Sequence, residues 1–250
     1  KVIYICFPEG KHKVLTMSYD DGKLADRRLV SIFNHYGIKG TFHLNSGMHG
    51  PERIPSEEWK ALYEGHEMSC HTVTHPTIAR SPVEQVAVQV LEDRRYIERI
   101  AGYPVRGLSY PNGSYNREII ELLPKLGIEY SRIVGNTDDF SMPENYLAWE
   151  ATCHHNHNLI ENGKRFLELK KTQYMYMMYV WGHSYEFDRD NNWELMEEFC
   201  EMMSGQEDIW YATNIQIVDY MKAAKNLRFT LDGDLVYNPN AVSYTHLRAH

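Results

Sequence analysis

The sequence predicts an α/β protein in which about seven parallel strands form a single distorted (β/α) barrel. Short apolar runs alternate along the chain with longer segments whose apolar residues have helical spacing, a repeat typical of parallel strands joined by helices. The 250 residues are enough for one large buried core, and no linker rich in proline, glycine or serine divides them. Several polar residues directly follow predicted strands, where barrels of this kind carry their functional sites.

The elements of the first half have recognisable ends. The strand that begins at Val14 stops at the turn Asp20-Asp21-Gly22. The helix after it stops at Gly37, because glycine adopts the left-handed conformation that caps a helix. Ser81-Pro82-Val83-Glu84 predicts a helix start, with serine as N-cap and proline at the first helical position. The predicted order is strand 14–19, helix 25–36, strand 40–44, helix 56–64, strand 66–71 and helix 81–101.

The alternation continues in the second half and ends in an appended hairpin. The run from Tyr174 to Trp181 is almost wholly apolar, which predicts a buried strand, and Asp232-Gly233 predicts a hairpin turn. We expect one domain over residues 1–240 and assign residues 241–250, which fit no element, to a non-native or disordered tail. The predicted order is strand 107–110, helix 116–126, strand 129–134, helix 159–170, strand 174–181, helix 193–203, strand 209–213 and hairpin 227–236.

Charge, hydropathy and cysteine usage narrow the possible partners and location. The net charge of −8 leaves no basic stripe for nucleic acid, and no run of about eighteen apolar residues encodes a membrane span. No signal peptide opens the chain, which favours a cytoplasmic protein, and a secreted one stays open if a leader preceded Lys1. The cysteines lack CxxC spacing and are expected to be buried free thiols: Cys6, Cys70, Cys153 and Cys200.

Two short motifs together predict a hydrolytic metal site. Asp20 and Asp21 end the first strand, and His71 and His75 follow about fifty residues later in a His-x-x-x-His pair. One carboxylate and two imidazoles give a divalent ion three protein ligands and leave a position open for water. The second carboxylate then stands beside the site as a proton acceptor.

These residues belong to a set of motifs that resembles the polysaccharide deacetylase family, the NodB-homology domain of carbohydrate esterase family 4. Ser18-Tyr19-Asp20-Asp21-Gly22 is similar to the family's first motif, and His71-Thr72-Val73-Thr74-His75 matches its second. Tyr110-Pro111-Asn112-Gly113 matches the third in part, and Trp181-Gly182-His183 lies where the last is expected. The fourth motif has no clean counterpart, since Asp138-Asp139-Phe140 fits it poorly.

The resemblance implies a barrel of the deacetylase type that holds one divalent ion and removes acetyl groups from an N-acetylated or O-acetylated carbohydrate. Zinc is the first choice, and cobalt, nickel and iron suit the same ligands. It also implies a backbone N–H, that of Asn112, as a donor to the oxyanion. The implied roles are metal ligands Asp21, His71 and His75, general base Asp20, general acid His183, and substrate contacts Tyr110, Asn112 and Trp181.

The third motif departs from the family at the arginine that orients the catalytic aspartate. Ser109 stands at that position, and Arg106 lies three residues too early. Arg132 follows the strand 129–134 and is expected to point toward the same rim as Asp20. We therefore predict that Arg132 replaces the missing arginine and that the chain belongs to a divergent subgroup.

The sequence leaves other functions open. The same fold could carry an amidohydrolase for small cyclic amides or ureides, or an O-acetyl esterase for xylan-like chains. A non-catalytic carbohydrate-binding barrel would predict loss of Asp20 or His183, and both are present. The run containing His154, His155 and His157 could hold a second metal, although a polar loop at the barrel mouth is favoured.

Overall fold

The computed structural model describes residues 2–240 and 247–249. Within them, strands and helices alternate through most of the chain. The strands are β1 (Ile3–Ile5), β2 (Lys13–Asp20), β3 (Gly40–Leu44), β4 (Glu67–Cys70), β5 (Gly107–Ser109), β6 (Tyr130–Arg132), β7 (Cys153–His154), β8 (Tyr176–Gly182), β9 (Ile209–Tyr211), β10 (Arg228–Phe229), β11 (Val236–Tyr237) and β12 (Leu247–Ala249). The helices are α1 (Asp26–Tyr36), α2 (Ser56–Leu62), α3 (Val83–Ala101), α4 (Arg117–Leu122), α5 (Leu159–Glu168), α6 (Tyr185–Arg189), α7 (Trp193–Met203) and α8 (Asn214–Asn226).

The central sheet is parallel and curls into a distorted, incompletely closed barrel. Its strand order is β6-β5-β4-β3-β2-β8-β7. β2 is the longest strand and pairs with β8 along one edge. Along its other edge, Lys13–Leu15 pairs with β9 and Met17–Asp20 pairs with β3. The predicted barrel of about seven parallel strands is confirmed.

The two ends of the sheet approach each other through the segment before β7. The backbone of Arg132, at the end of β6, forms a parallel bridge to Trp149. The N–H of Ile133 donates to the Trp149 carbonyl at 3.0 Å, and the Trp149 N–H donates to the Ser131 carbonyl at 2.9 Å. This contact brings the carboxyl end of β6 to the same rim as the ends of β2 and β8.

The two faces of β2 show why a fully buried strand carries both apolar and polar residues. Leu15, Met17 and Tyr19 point to the outer face, where they join the hydrophobic core that includes Phe33 of α1. Because side chains alternate along a strand, Ser18 and its even-numbered neighbours point into the barrel. There the Ser18 hydroxyl lies 2.8 Å from Nε2 of His43. The inward face of β2 is therefore polar near the rim, whereas Val14, farther from the rim, joins a second hydrophobic cluster.

Most predicted elements occur, and two, β3 and α7, have the predicted ends. The predicted N-cap at Ser81 is wrong, because α3 begins at Val83 and Pro82 occupies the cap position with an extended backbone. The largest omission is α8, which begins with a capping box between Thr213 and Gln216. That signal was present in the sequence and followed the predicted strand 209–213 directly. The short elements β7 and α6 were also not predicted.

The described segment near the carboxyl terminus pairs with the first strand of the chain. The predicted tail, residues 241–250, lies mostly outside the described residues, but its part Leu247–Ala249 pairs antiparallel with Ile3–Ile5. The domain boundary at residue 240 stays a prediction.

All four cysteines are buried, and Cys70, Cys153 and Cys200 are free thiols. Among the described helices, none combines the length and the apolar character needed to cross a bilayer.

Candidate active site

Two loops at the carboxyl ends of β2 and β4 carry the predicted metal ligands. Asp21 directly follows β2 and has a left-handed backbone, with φ of 82°. The loop after β4 contains His71, and it turns back through two further left-handed residues, Thr72 with φ of 69° and His75 with φ of 57°. The two histidines therefore reach one point from a tight loop rather than from a helix face.

The donor atoms of Asp21, His71 and His75 converge as the sequence predicts. Oδ1 of Asp21 lies 3.6 Å from Nε2 of His71 and 3.7 Å from Nε2 of His75. One ligand atom from each of the three residues lies within 4.8 Å of the other two. Among the described residues, neither the Asp21 Oδ1 atom nor the His71 Nε2 atom has a hydrogen-bond partner, although both are buried. Most buried polar atoms in proteins are hydrogen-bonded, and this set of one carboxylate and two imidazoles fits a divalent cation.

The tautomer of His71 suits this role. Its Nδ1 atom lies 2.8 Å from the Ser109 carbonyl oxygen, an acceptor that requires a proton on Nδ1. The lone pair of Nε2 then faces Asp21 and His75. Burial lowers the pKa of His71, against the opposing effect of Asp20 and Asp21, so burial favours the neutral imidazole that binds metals.

Asp20 is held in an ionised form beside this group. Its Oδ2 atom forms a short ion pair with the Arg132 guanidinium, and its Oδ1 atom accepts a hydrogen bond of 2.9 Å from the Ser109 hydroxyl. Burial alone would raise the pKa of Asp20, but the charge of Arg132 holds it well below its usual range. Asp20 therefore carries its negative charge across the neutral pH range.

Arg132 and Arg106 have different partners, and only Arg132 contacts Asp20, as the sequence predicts. Arg132 is 1% exposed, contacts Asp20, and stacks 4.6 Å from the centre of the Trp181 ring. Arg106 instead forms ion pairs with Glu129 and Asp219. The predicted contact between Arg132 and Asp20 is confirmed, and its orienting role stays a prediction. Ser109, which stands where the family has arginine, supplies a second anchor for Asp20.

His183 faces the two aspartates from the end of β8. Its Nε2 atom lies 4.0 Å from Oδ2 of Asp20 and 3.9 Å from Oδ2 of Asp21. On the other side, its Nδ1 atom lies 3.3 Å from Oε1 of Glu186. Burial lowers the pKa of His183, but the contact with Glu186 and the charges of the aspartates outweigh burial, so the net change is upward.

Glu186 was missed by the sequence analysis. Its Oε2 atom accepts hydrogen bonds from the His183 backbone N–H at 3.0 Å and from Nε2 of His154 at 2.7 Å, and Nε2 of His155 lies 3.4 Å away. The histidine run lies at the end of β7 and in the turn that follows it, as the favoured interpretation predicts for His155 and His157, whereas His154 is the last residue of β7 and His155 is fully buried. The only signal for Glu186 was its i, i+3 spacing from His183.

The predicted substrate contacts lie partly inside the fold. Tyr110 is 2% exposed, and its hydroxyl donates to the Leu147 carbonyl at 2.5 Å. Trp181 is 7% exposed, and its ring nitrogen donates to the Gly135 carbonyl at 2.9 Å. Asn112 is exposed, with a left-handed backbone at φ of 56°. Substrate contact stays a prediction for all three, and the two buried rings offer little surface for it.

A groove opens beside the predicted metal ligands. Its volume is about 530 Å³, and Asp21 and His75 form part of its wall. Tyr185, which follows His183 closely in the chain, lines the same groove together with Met48 and Asp188. The groove therefore connects the convergent donors to solvent through a surface that combines an aromatic ring with polar groups.

Part of this chain is similar in sequence to a known protein family. Residues 8–131 match the family model described as polysaccharide deacetylase. A peptidoglycan-N-acetylglucosamine deacetylase from Bacillus cereus is 26% identical over 46% of this chain and 40% of its own length, so the match spans less than half of that relative.

Two solved structures have the same fold. One is a protein from Mycobacterium smegmatis, with a TM-score of 0.68 and 16% identity over 90% of this chain and 95% of that one. The other is a family 4 acetyl xylan esterase from Clostridium thermocellum in complex with cobalt, with a TM-score of 0.57 and 12% identity over 84% and 91%. The structural likenesses show the fold. The family match, with the identity to the curated deacetylase, shows that the segment from β2 to β6 belongs to the polysaccharide deacetylase family.

Proposed function

We propose that this protein is a metal-dependent hydrolase that removes acetyl groups from an N-acetylated carbohydrate. One observation carries the proposal: two buried, unsatisfied donor atoms, Oδ1 of Asp21 and Nε2 of His71, converge with His75 beside an ionised Asp20. Most buried polar atoms with a purely structural role are hydrogen-bonded. Membership of the deacetylase family supplies the class of reaction.

Asp21, His71 and His75 would hold the metal ion. A divalent cation bound there would polarise the acetyl carbonyl and make an attacking water more acidic. Zinc is the first choice, because one carboxylate and two imidazoles leave a position open in its coordination shell. Cobalt, nickel and iron accept the same ligands.

Asp20 would take the proton from the attacking water. A general base must be ionised and must lie within reach of the water, directly or through one further water molecule. Arg132 and Ser109 favour the ionised form of Asp20 and restrict its rotation. The carboxylate stands 3.9 Å from Nε2 of His71, next to the group of donor atoms.

His183 would protonate the leaving amine. Glu186 accepts from the backbone N–H of His183 and lies 3.3 Å from its Nδ1 atom, which favours a proton on Nδ1 and turns Nε2 toward Asp20 and Asp21. The raised pKa of His183 favours the protonated form that an acid needs. An amine is a poor leaving group unless it is protonated, so this role matters most for N-acetyl substrates.

The test is release of acetate from N-acetylglucosamine oligomers by the purified chain. We expect activity that a chelator removes and added zinc restores. His71→Ala should lose both bound metal and activity while its circular dichroism spectrum stays that of the parent, because the residue lies at the rim and not in the apolar core. His35→Ala, a substitution on the outer surface of α1, is the matched control.

Further substrates separate the other readings. Acetylated xylan tests an O-acetyl esterase, and a cyclic ureide tests a small-molecule amidohydrolase. Binding of the oligomer without release of acetate, in protein shown to contain zinc, would identify a non-catalytic carbohydrate-binding barrel. Activity on the oligomer that survives complete removal of metal would contradict the proposed mechanism.

A further inference from the structure

Asn45 lies between the two loops that carry the metal ligands. It follows β3, which is hydrogen-bonded to β2 on one side and β4 on the other. Its side-chain Nδ2 atom donates to the His71 carbonyl at 2.7 Å and to the Thr72 carbonyl at 3.0 Å. Asn45 is 2% exposed. Because both acceptors are carbonyl oxygens, the amide must point its nitrogen toward this loop and its oxygen away from it.

Arg53 occupies the other side of Asn45. One guanidinium nitrogen donates to the Asp21 carbonyl in a short hydrogen bond and to Oδ1 of Asn45 at 3.3 Å. Arg53 is 8% exposed, although it lines the groove with part of its surface. A continuous chain of hydrogen bonds therefore runs from the Asp21 carbonyl through Arg53 and Asn45 to the loop that holds His71.

This chain of bonds acts on the most strained backbone of the site. Asp21, Thr72 and His75 all have left-handed φ angles, which cost free energy for residues with a side chain. Such conformations persist only where the surroundings hold them. The bonded carbonyls belong to Asp21 and Thr72 themselves and to His71, which directly precedes Thr72.

We propose that Arg53 and Asn45 are positioning residues that hold the Asp21 loop and the His71–His75 loop in the arrangement that binds the metal. The inference rests on the proposed function, since it assigns a role at the same metal site. Neither side chain supplies a metal ligand or contacts Asp20. Their effect is on the affinity for the ion, through the backbone of its ligands, in the way that residues behind metal ligands commonly tune a site.

The experiment compares zinc affinity in Asn45→Ala, Arg53→Lys and the double variant, by competition with a chelator of known affinity. Arg53→Lys keeps the positive charge but replaces the planar guanidinium, whose Nη1 atom makes both bonds, by an ammonium group on a flexible stem. Each single variant should bind zinc about 10- to 100-fold more weakly than the parent. Because the two residues act as one chain, the double variant should lose little more than the weaker-binding single variant.

Two controls separate positioning from general destabilisation. Glu52→Gln changes an exposed carboxylate that lies 3.9 Å from Nε of Arg53, outside the hydrogen-bond chain. Ile97→Val weakens the packing of α3, where Ile97 is fully buried, by an ordinary core effect. Both should leave the zinc affinity of the folded protein unchanged. Thermal unfolding without metal shows that each variant is folded before its affinity is measured, and Asn45→Ser replaces Asn45→Ala if the alanine variant does not fold.

The outcomes distinguish this inference from the proposed function. A parent protein that binds no zinc contradicts the proposed function itself and, with it, this role. A parent that binds zinc and hydrolyses its substrate, with folded Asn45 and Arg53 variants of equal affinity, overturns the positioning role alone. Loss of affinity that also occurs in Ile97→Val would show a general effect of stability and would overturn the inference as well.

Discussion

Replacing Arg132 by methionine should destabilise the protein far more than the same change at Arg106. Arg132 and Asp20 are 1% and 4% exposed, so the change leaves a buried carboxylate without its main counter-charge. Breaking such a buried pair costs roughly 3–5 kcal/mol. The side chain of Arg106 is 30% exposed and pairs with Asp219 and Glu129 at the surface, where ion pairs contribute about 0–1 kcal/mol each.

The destabilisation caused by Arg132→Met should depend on pH. In the parent, the pKa of Asp20 lies below its value in the unfolded chain, so the ion pair stabilises the fold above that unfolded value and the contribution is lost as the pH falls. The difference in stability between the parent and Arg132→Met should therefore be largest at neutral pH and should shrink below about pH 4. Arg106→Met should show no such trend of comparable size.

Urea unfolding of the metal-free proteins, at neutral and acidic pH, measures these differences. With zinc restored, Arg132→Met should lower kcat with little change in KM, because Arg132 contacts the proposed base and is not among the residues that line the groove. Equal destabilisation by Arg132→Met and Arg106→Met would refute the energetic argument. A parent-like kcat in Arg132→Met would refute the orienting role.

Substitutions of His183, Glu186 and Glu67 test the proposed acid, its partner and a buried carboxyl group. His183→Ala should lower turnover on an N-acetylglucosamine oligomer by about 10²–10⁴ with unchanged metal content, and an acetyl ester, whose leaving alcohol needs less protonation, should suffer less; parent-like amide turnover would remove His183 from the mechanism. Glu186→Gln removes a charge that raises the pKa of His183, so the alkaline limb of the kcat–pH profile should move to lower pH, and an unmoved limb would contradict that coupling. Burial raises the pKa of Glu67 to about 7. The protein should therefore lose up to about 3 kcal/mol of stability as the pH rises from the ordinary pKa of glutamate toward 7. Glu67→Gln should flatten this part of the stability–pH curve, whereas Glu84→Gln, an exposed change on α3, should leave it unaltered.

The sequence by itself determined most of the central strands and the residues that are predicted to bind the metal. Apolar runs and glycine ends are local signals, so β3 and α7 were predicted with their observed ends. Asp21, His71 and His75 were identified by motifs that resemble those of the family, and the carboxyl ends of parallel strands meet at one rim. The structure brings their donor atoms within one 4.8 Å group.

Only the tertiary structure decided which residues support that group. Glu186 meets His154 across 32 positions of the chain, and Asn45 meets Arg53 and the His71 loop through hydrogen bonds with no sequence pattern. Such contacts depend on how far each strand extends and on left-handed turns such as that at Asp21. Strand register and loop conformation are set by packing across the whole sheet, so no local stretch of sequence specifies them.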